Sequence, residues 1–519
     1  MTTQKTAATP DLYPAGSIVL GDRVVMREAV MDRASRLARS LSTLGVGEDD
    51  RVAILMRNDV PFVETATALA RLGAYAVPLN WHLTPPELES VLRDSGAKIV
   101  VCHHDLYPLI APVLGGRGVI VAATPALLVE AYRVADPTPP LPDTAIPYET
   151  LMAADPWDGP PAAVRSSIIY TSGTTGAPKG VVREPCNPAM AQRVLEVMSL
   201  GYGLDGVTPI RTVVTGPMYH SVPNVYALTA IRAPGSMVIL QPRFDARALL
   251  RLIESQRITH LHLVPTMFVR LLKLPKEERE TYDLSSLRFV AHGAAPCPPD
   301  VKRQMIDWWG PVIHEYYGAS ETGPAIIHGS EEALRKPGTV GKPVPWAVVK
   351  VLDDDGNTLP PGEVGHIYMR IDGYPQSHYL NNPEASAAIK RDGLTTAGEM
   401  GYMDADGYVF LTGRAKEMIV SGGVNIFPIE IESAVLSLPG VHDCAVFGVP
   451  DPEFGEAVCA YIEPDAGRTL TAEGVRDGLR DRLARYKVPS RIVFRSALPR
   501  QDSGKVLKRV LLEDYLETV

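Results

Sequence analysis

Residues 170–180 read YTSGTTGAPKG, and the fold turns on what such a stretch can hold. It carries three glycines, three threonines, one serine and one lysine, and little that packs. The apolar run SSIIY before it reads as a strand that opens into the loop. Glycines let backbone N–H groups approach a ligand closely, and hydroxyls add further donors. Lys179 adds a mobile positive charge. That inventory suits a polyphosphate. It is not a Walker A loop, which needs Gly-Lys-Ser/Thr after four free positions; here Lys179 follows Pro178 and precedes Gly180. Without its wider context the same composition would also serve as a plain polar turn.

Outward from the loop, apolar runs alternate with helical periodicity. MREAVMDRASRLARSLSTLGVG spaces its apolar residues as a helix does and ends in glycines, and the strand RVAILM follows. VPFVETATALARLGAYAVPLN reads as helix then strand, KIVVCH and VIVAA as further buried strands. FDARALLRLIESQRITHLHLVPTMFVRLLKL continues the rhythm as helix, strand, helix. Such alternation predicts parallel α/β architecture. The proline-rich residues 136–161 read as a surface connection. Near residue 340 the rhythm changes. AVVKVLDDDGNTLPPGEVGHIYMR and GYMDADGYVFLTGR read as antiparallel hairpins with Asp-Gly turns. After Arg414 the texture changes again, to helix, strands, helix and a charged tail. The expected fold is therefore α/β: a large N-terminal domain (1–415) of parallel α/β subdomains with a hairpin-rich subdomain, then a small α+β C-terminal domain (416–519).

Composition narrows the function. The 519 residues are 45% hydrophobic and 21% charged, with a net charge of −9, which argues against nucleic-acid binding as a partner class. The five cysteines are scattered without a C-x-x-C pair, so neither a disulfide framework nor a zinc site is expected. They read as reduced thiols of a cytoplasmic protein. The N-terminal residues show no apolar signal core, and no uncharged apolar run is long enough to span a bilayer.

Further motifs follow the loop in order: MYHSVPN (218–224), GAAP (293–296), YYGASETG (316–323), GEVG (362–365), GYMDADGYVFLTGRAKEMIVSGGVNIFPIEIE (401–432) and LPRQDSGKVLKR (498–509). With the loop, this ordered set resembles the adenylate-forming enzymes, which include acyl-CoA synthetases, aryl-CoA ligases, firefly-type luciferases and peptide-synthetase adenylation domains. The resemblance implies an AMP-forming acid–CoA ligase. A carboxylate attacks the α-phosphate of ATP to give acyl-AMP and pyrophosphate, and the thiol of coenzyme A then displaces AMP. Charge gathered at phosphorus must be offset by cations and preorganised donors.

The resemblance also implies roles. Thr171, Ser172, Gly173, Thr174, Thr175, Gly176 and Lys179 would cradle the β- and γ-phosphates. Glu321 would bind Mg2+ and Ser320 would touch the α-phosphate. Tyr317 and Gly318 would form one wall of the adenine slot, with Gly293, Ala294 and Ala295 opposite. Lys505 would be the catalytic lysine of adenylation, bridging carboxylate and α-phosphate. Arg414 and a carboxylate at 399 would hold the ribose; the family usually has Asp there, and this chain has Glu399. Lys416 would be the hinge about which the C-terminal domain rotates between half-reactions, and Ser421, Gly422 and Gly423 would line the coenzyme A tunnel. Tyr219, His220, His262, Thr266 and Ala319 would border the acid, with His220 near its carboxylate.

His260 and His262 alternate on a strand, so both face one side; strand packing or a polar pocket wall fits them better than a metal, since no third ligand is near. YHSVPN with SGGVNIFPIEIE looks most like family members that act on fatty, steroid-side-chain or bile-type acids, with aryl acids also open. Other readings are a stand-alone enzyme that loads a carrier protein, a luciferase-like oxidation of the adenylate, and a catalytically impaired nucleotide-binding homologue, for which Glu399 is the only support. The resemblance leaves the protein a monomer or a homodimer.

Overall fold

The computed structural model describes residues 12–171, 178–422, 424–500 and 506–518. Its main sheet has fifteen strands. The central strands Met237–Leu240, Arg211–Val214, His260–Leu263, Phe289–His292 and Ile313–Ala319 run parallel. Their side chains divide by parity between two cores, as the two-residue period of a strand requires. Val213, Leu261, Leu263, Val290 and Ile313 pack on one face with Leu249, Leu250, Met305 and Ile306. Val214, Ala291 and Tyr316 face the other way, against Val197, Tyr202 and Tyr226. Both faces are covered, so a strand such as MVIL is buried at all four positions.

A second, five-stranded parallel sheet lies earlier in the chain, in the order Tyr75–Pro78, Arg51–Leu55, Ile99–His103, Gly118–Ala122, Ile146–Pro147. Its last strand corrects the surface connection expected over 136–161. Tyr148, just beyond that strand, is buried and donates to Glu64 Oε2 at 2.9 Å. The prolines hid an edge strand, where a missing N–H is tolerated.

The predicted hairpins are present, but they extend the main sheet instead of forming one of their own. Gly323–His328 pairs antiparallel with Ile313–Ala319, and the order runs on through Thr339–Pro343, Val409–Arg414, Glu399–Met403 and Gly365–Ile371. The chain thus carries a large N-terminal and a smaller C-terminal domain. The C-terminal sheet has five strands: Ile419–Ser421, Val424–Ile426, Val441–Asp451, Gly455–Pro464 and Arg491–Phe494. Helices Pro428–Leu436, Ala472–Arg480 and Lys508–Thr518 accompany it. Lys273 of the large domain donates to His442 O at 3.2 Å and pairs with Asp465 at 3.2 Å, joining the two domains. Among the described residues no helix is long and apolar enough to cross a membrane.

Candidate active site

The site lies at the C-terminal ends of the parallel strands, where open α/β sheets bind ligands. Here Phe289–His292 runs into Gly293, and Ile313–Ala319 carries Tyr316, Tyr317 and Gly318. Backbones approach too closely for side chains. A Cβ at Gly293 would sit 2.6 Å from the Tyr316 ring and 2.7 Å from its carbonyl oxygen, and one at Gly318 would sit 1.8 Å from Gly323 O. A register shift at Tyr317/Gly318 bends the strand there.

Tyr317 Oη donates to Glu399 Oε2 at 3.2 Å. Glu399 and Arg414 are register partners across a hairpin, and Arg414 Nη2 lies 3.1 Å from Glu399 Oε1. Burial raises the Glu399 carboxyl above its ordinary value, with Arg414 opposing that shift. Burial, then the Glu399 charge, holds the Tyr317 hydroxyl well above its own. The three residues therefore form one coupled group.

A small sheet of Ile169–Thr171, Lys179–Arg183 and Ser377–Tyr379 brings up the quoted loop. Thr171 and Lys179 are register partners, so the loop's two ends meet. Ser172, Gly173, Thr174, Thr175 and Gly176 lie outside the described residues. Lys179 Nζ stands 5.1 Å from the centroid of the Tyr379 ring, and Tyr379 Oη donates to Glu321 Oε1 at 2.9 Å. Arg183 donates to Ser320 O at 2.6 Å, and Ser377 Oγ to Glu321 O at 2.6 Å. Lysine and glutamate, 142 positions apart in sequence, thus share one tyrosine. Among the described residues no group of three or more His, Cys, Asp or Glu side chains is arranged to hold a metal. A single carboxylate facing bound phosphates still fits Mg2+, which keeps its waters and takes one or two protein carboxylates.

On the acid side, His220 precedes helix Ser221–Arg232 as its N-cap. Asn224 fixes the approach: its Nδ2 donates to Met218 O at 2.9 Å and its Oδ1 accepts from Ser167 Oγ at 3.0 Å. Tyr219 is buried edge-on against Trp81 at 4.6 Å. His262 is buried with its Nε2 3.0 Å from Tyr316 Oη, and burial pushes its pKa down to about 3, so it is neutral. His260 packs on the Phe289 ring instead. Thr266 and Ala319 are half-buried, in the first turn of helix Pro265–Leu272 and at the end of Ile313–Ala319.

Lys416 sits in the turn Ala415–Glu417. Ser421 and Gly422 belong to a surface hairpin, where Gly422 N donates to Phe454 O at 2.8 Å. Gly423 and Lys505 lie outside the described residues. Sequence reading missed Tyr379 and Arg183, which carry no motif.

With this geometry the chain belongs to the AMP-binding enzyme family. The model for "AMP-binding enzyme" matches residues 21–374, and that for "AMP-binding enzyme C-terminal domain" matches 430–505. It is an ATP-dependent, AMP-forming ligase of the acyl-CoA synthetase type. It is 35% identical to an indoleacetate–CoA ligase of Aromatoleum aromaticum, over 91% of this chain and 90% of that one. It is 34% identical to a feruloyl-CoA synthase of Amycolatopsis sp., over 92% and 91%. The ATP-bound structure of MatB from Rhodopseudomonas palustris superposes with a TM-score of 0.83 at 29% identity, covering 97% of both chains.

Proposed function

We propose that this ligase activates an aryl acid with ATP and passes the acyl group to coenzyme A, in the cytoplasm. The observation that carries the nucleotide half is the convergence of Tyr317, Glu399–Arg414, Glu321–Tyr379 and Lys179 around the ends of five strands. In this reading Tyr317 and residues 293–295 hold adenine, and Glu399 and Arg414 take the ribose hydroxyls. Ser320 meets the α-phosphate. Lys179 and residues 171–176 take the distal phosphates. Glu321 holds Mg2+, which would neutralise phosphate charge when bound. His220 stands by the acid's carboxylate, and Lys505 enters from the C-terminal domain. The names of the two sequence relatives, both acting on aromatic acids, support the acid class. The free cysteines support a reducing compartment. Pyrophosphate release from ATP, measured over a panel of aryl, fatty and steroid-side-chain acids, tests the reading; release with fatty acids alone would overturn the acid class.

Glu399 reaches both Tyr317 and Arg414 through a side chain one methylene longer than the family's aspartate. Glu399→Asp is expected to give up one of these contacts and raise the KM for ATP by about tenfold, the worth of one charged hydrogen bond. An unchanged KM would mean that the carboxylate does not organise the nucleotide pocket.

The domain boundary falls in this reading between Ala415 and Lys416, where the main sheet has ended at Arg414 and the C-terminal sheet has not begun. Rotation about Lys416 would release the Lys273 contact with His442 and Asp465 and carry residues 421–423 towards the acyl adenylate. Proline at 416 fixes one backbone dihedral there. Lys416→Pro should therefore slow thioester formation by more than it slows pyrophosphate release. Equal losses in the two half-reactions would reject the hinge.

A further inference from the structure

We infer that Lys508 is a positioning residue: it holds Glu417 on the C-terminal domain and so leaves Arg414 to Glu399 and the nucleotide. This rests on the reading above that Glu399 and Arg414 take the ribose hydroxyls, and it adds to that site a residue from the last helix. Glu417 stands between two cations. On one side is Arg414, which ends strand Val409–Arg414 and lies three positions before Glu417, across the turn Ala415–Glu417. On the other is Lys508, which opens helix Lys508–Thr518. Its Nζ donates to Glu417 Oε2 at 3.1 Å and lies 2.9 Å from Glu432 Oε1.

Glu432 belongs to helix Pro428–Leu436, and the same Oε1 accepts from Val446 N, in strand Val441–Asp451, at 2.9 Å. The C-terminal sheet thus fixes Glu432, Glu432 fixes the ammonium, and the ammonium fixes Glu417. Burial would lower the Lys508 pKa, but Glu432 and then Glu417 outweigh burial and raise it, so the amine stays charged. Glu417, Glu432 and Lys508 all lie beyond the boundary proposed at Ala415–Lys416, and Arg414 lies before it. Arg414 pairs with Glu399, its Nη2 at 3.1 Å and its Nε at 3.2 Å from Oε1. Burial lowers the Arg414 pKa, while Glu399 and then Glu417 raise it. The guanidinium therefore already feels the Glu417 charge. Two carboxylates compete for it, and Lys508 engages one of them. Without the ammonium, Glu417 keeps its charge and loses a partner, and turning to Arg414 regains a charged hydrogen bond. A guanidinium shared with Glu417 is drawn off Glu399.

The test uses the full chain and reads the KM for ATP in pyrophosphate release, with the thermal midpoint as a check on folding. Lys508→Met is expected to raise that KM by about fivefold, as a weakened charged hydrogen bond would. Adding Glu417→Gln to Lys508→Met should bring the KM back to within about twofold of the parent, because the competing carboxylate is then neutral. Lys508→Arg keeps the charge and should stay at the parent value. A role confined to the fold predicts the reverse, with the second substitution adding to the damage. An unmoved KM in a folded Lys508→Met, or a double variant no better than the single one, would overturn the positioning role. Lys508→Gln, which keeps most of the stem, gives the same readout should the methionine variant fold poorly. Glu399→Asp, measured beside them, separates the two readings. An unmoved KM there rejects the ribose site and the positioning role with it. A raised KM there beside an unmoved one in Lys508→Met rejects the positioning role alone.

Discussion

Lys505→Ala is expected to lose acyl-adenylate formation by about 10²–10³-fold while thioester formation from preformed acyl-AMP continues. Adenylation brings a carboxylate against a phosphate, two anions that repel until a cation lies between them. The first half-reaction therefore needs an ammonium that the second does not, and removing one preorganised donor from developing charge typically costs a factor of that size. The described residues on either side of 501–505 favour this reading. Arg500 and Val506, which flank residues 501–505, are bridged to each other, and Leu507 N donates to Pro499 O at 2.9 Å. Leu498 is buried with Ala445, Phe447 and Leu511 in the C-terminal core. The described residues on either side of 501–505 thus form a fixed base within the C-terminal domain. Pyrophosphate exchange reports the first step, and coenzyme A consumption from synthetic acyl-AMP reports the second. If the two fell together, Lys505 would be serving the fold or the domain docking and not the chemistry.

Much of this site could be read from the chain because its parts are short, ordered motifs whose glycines answer a local need. Gly293 and Gly318 stand where a Cβ cannot fit, and that requirement is visible as GAAP and YYGASETG. What could not be read were contacts between residues far apart in sequence without a pattern of their own. Tyr379 links Lys179 to Glu321, yet it sits in a three-residue strand, SHY, whose partner strand lies nearly two hundred positions earlier. Tyr148 was hidden for a related reason: the prolines around it signal loop, while its burial comes from packing against another helix. The hairpins after residue 340 were legible as hairpins because Asp-Gly turns are local. Their continuity with the parallel sheet was not, since it depends on Gly323–His328 pairing backwards onto Ile313–Ala319. His262 illustrates the boundary between the two kinds of information. Alternation assigned its face, but only the fold supplied Tyr316 as its partner.

Glu315 is expected to be the costliest of the buried charges to remove. It lies two residues before Tyr317 and is the register partner of His292, which precedes Gly293, so both walls of the proposed nucleotide slot begin at this carboxylate. Lys302, on the helix that follows the 293–298 loop, hydrogen-bonds it; His328 Nε2 lies 2.8 Å from it and His292 Nε2 4.0 Å. All four side chains are buried. Glu315→Gln would leave the Lys302 ammonium buried without its counter-charge, at about 3–5 kcal/mol, read as a lowered denaturation midpoint. If the cluster also orders the nucleotide walls, the KM for ATP rises in this variant while that for coenzyme A does not.

Acid should act on the same cluster in two stages. His292 has both ring nitrogens buried without a hydrogen-bond partner among the described residues, and burial pushes its pKa down to about 3. His262 is pushed to about 3, and His260 and His314 to about 4, again chiefly by burial. A histidine whose pKa is lower folded than unfolded binds fewer protons in the native state, so stability falls as pH drops below the unfolded value near 6.5. At pH 5 one such group costs about 2 kcal/mol. Glu315 joins later. Burial would raise its pKa, but Lys302 and the histidines outweigh burial and hold it far below the ordinary 4.5, so its contribution is present above that value and fades as pH falls further. Thermal midpoints of the parent should therefore decline from about pH 6.5 downward. Glu315→Gln should start lower, keep the histidine-driven decline and lack the additional loss below pH 4.5. A parent midpoint flat from pH 7 to 5 would mean that these imidazoles accept protons inside the fold, and that the walls of the nucleotide slot do not depend on their staying neutral.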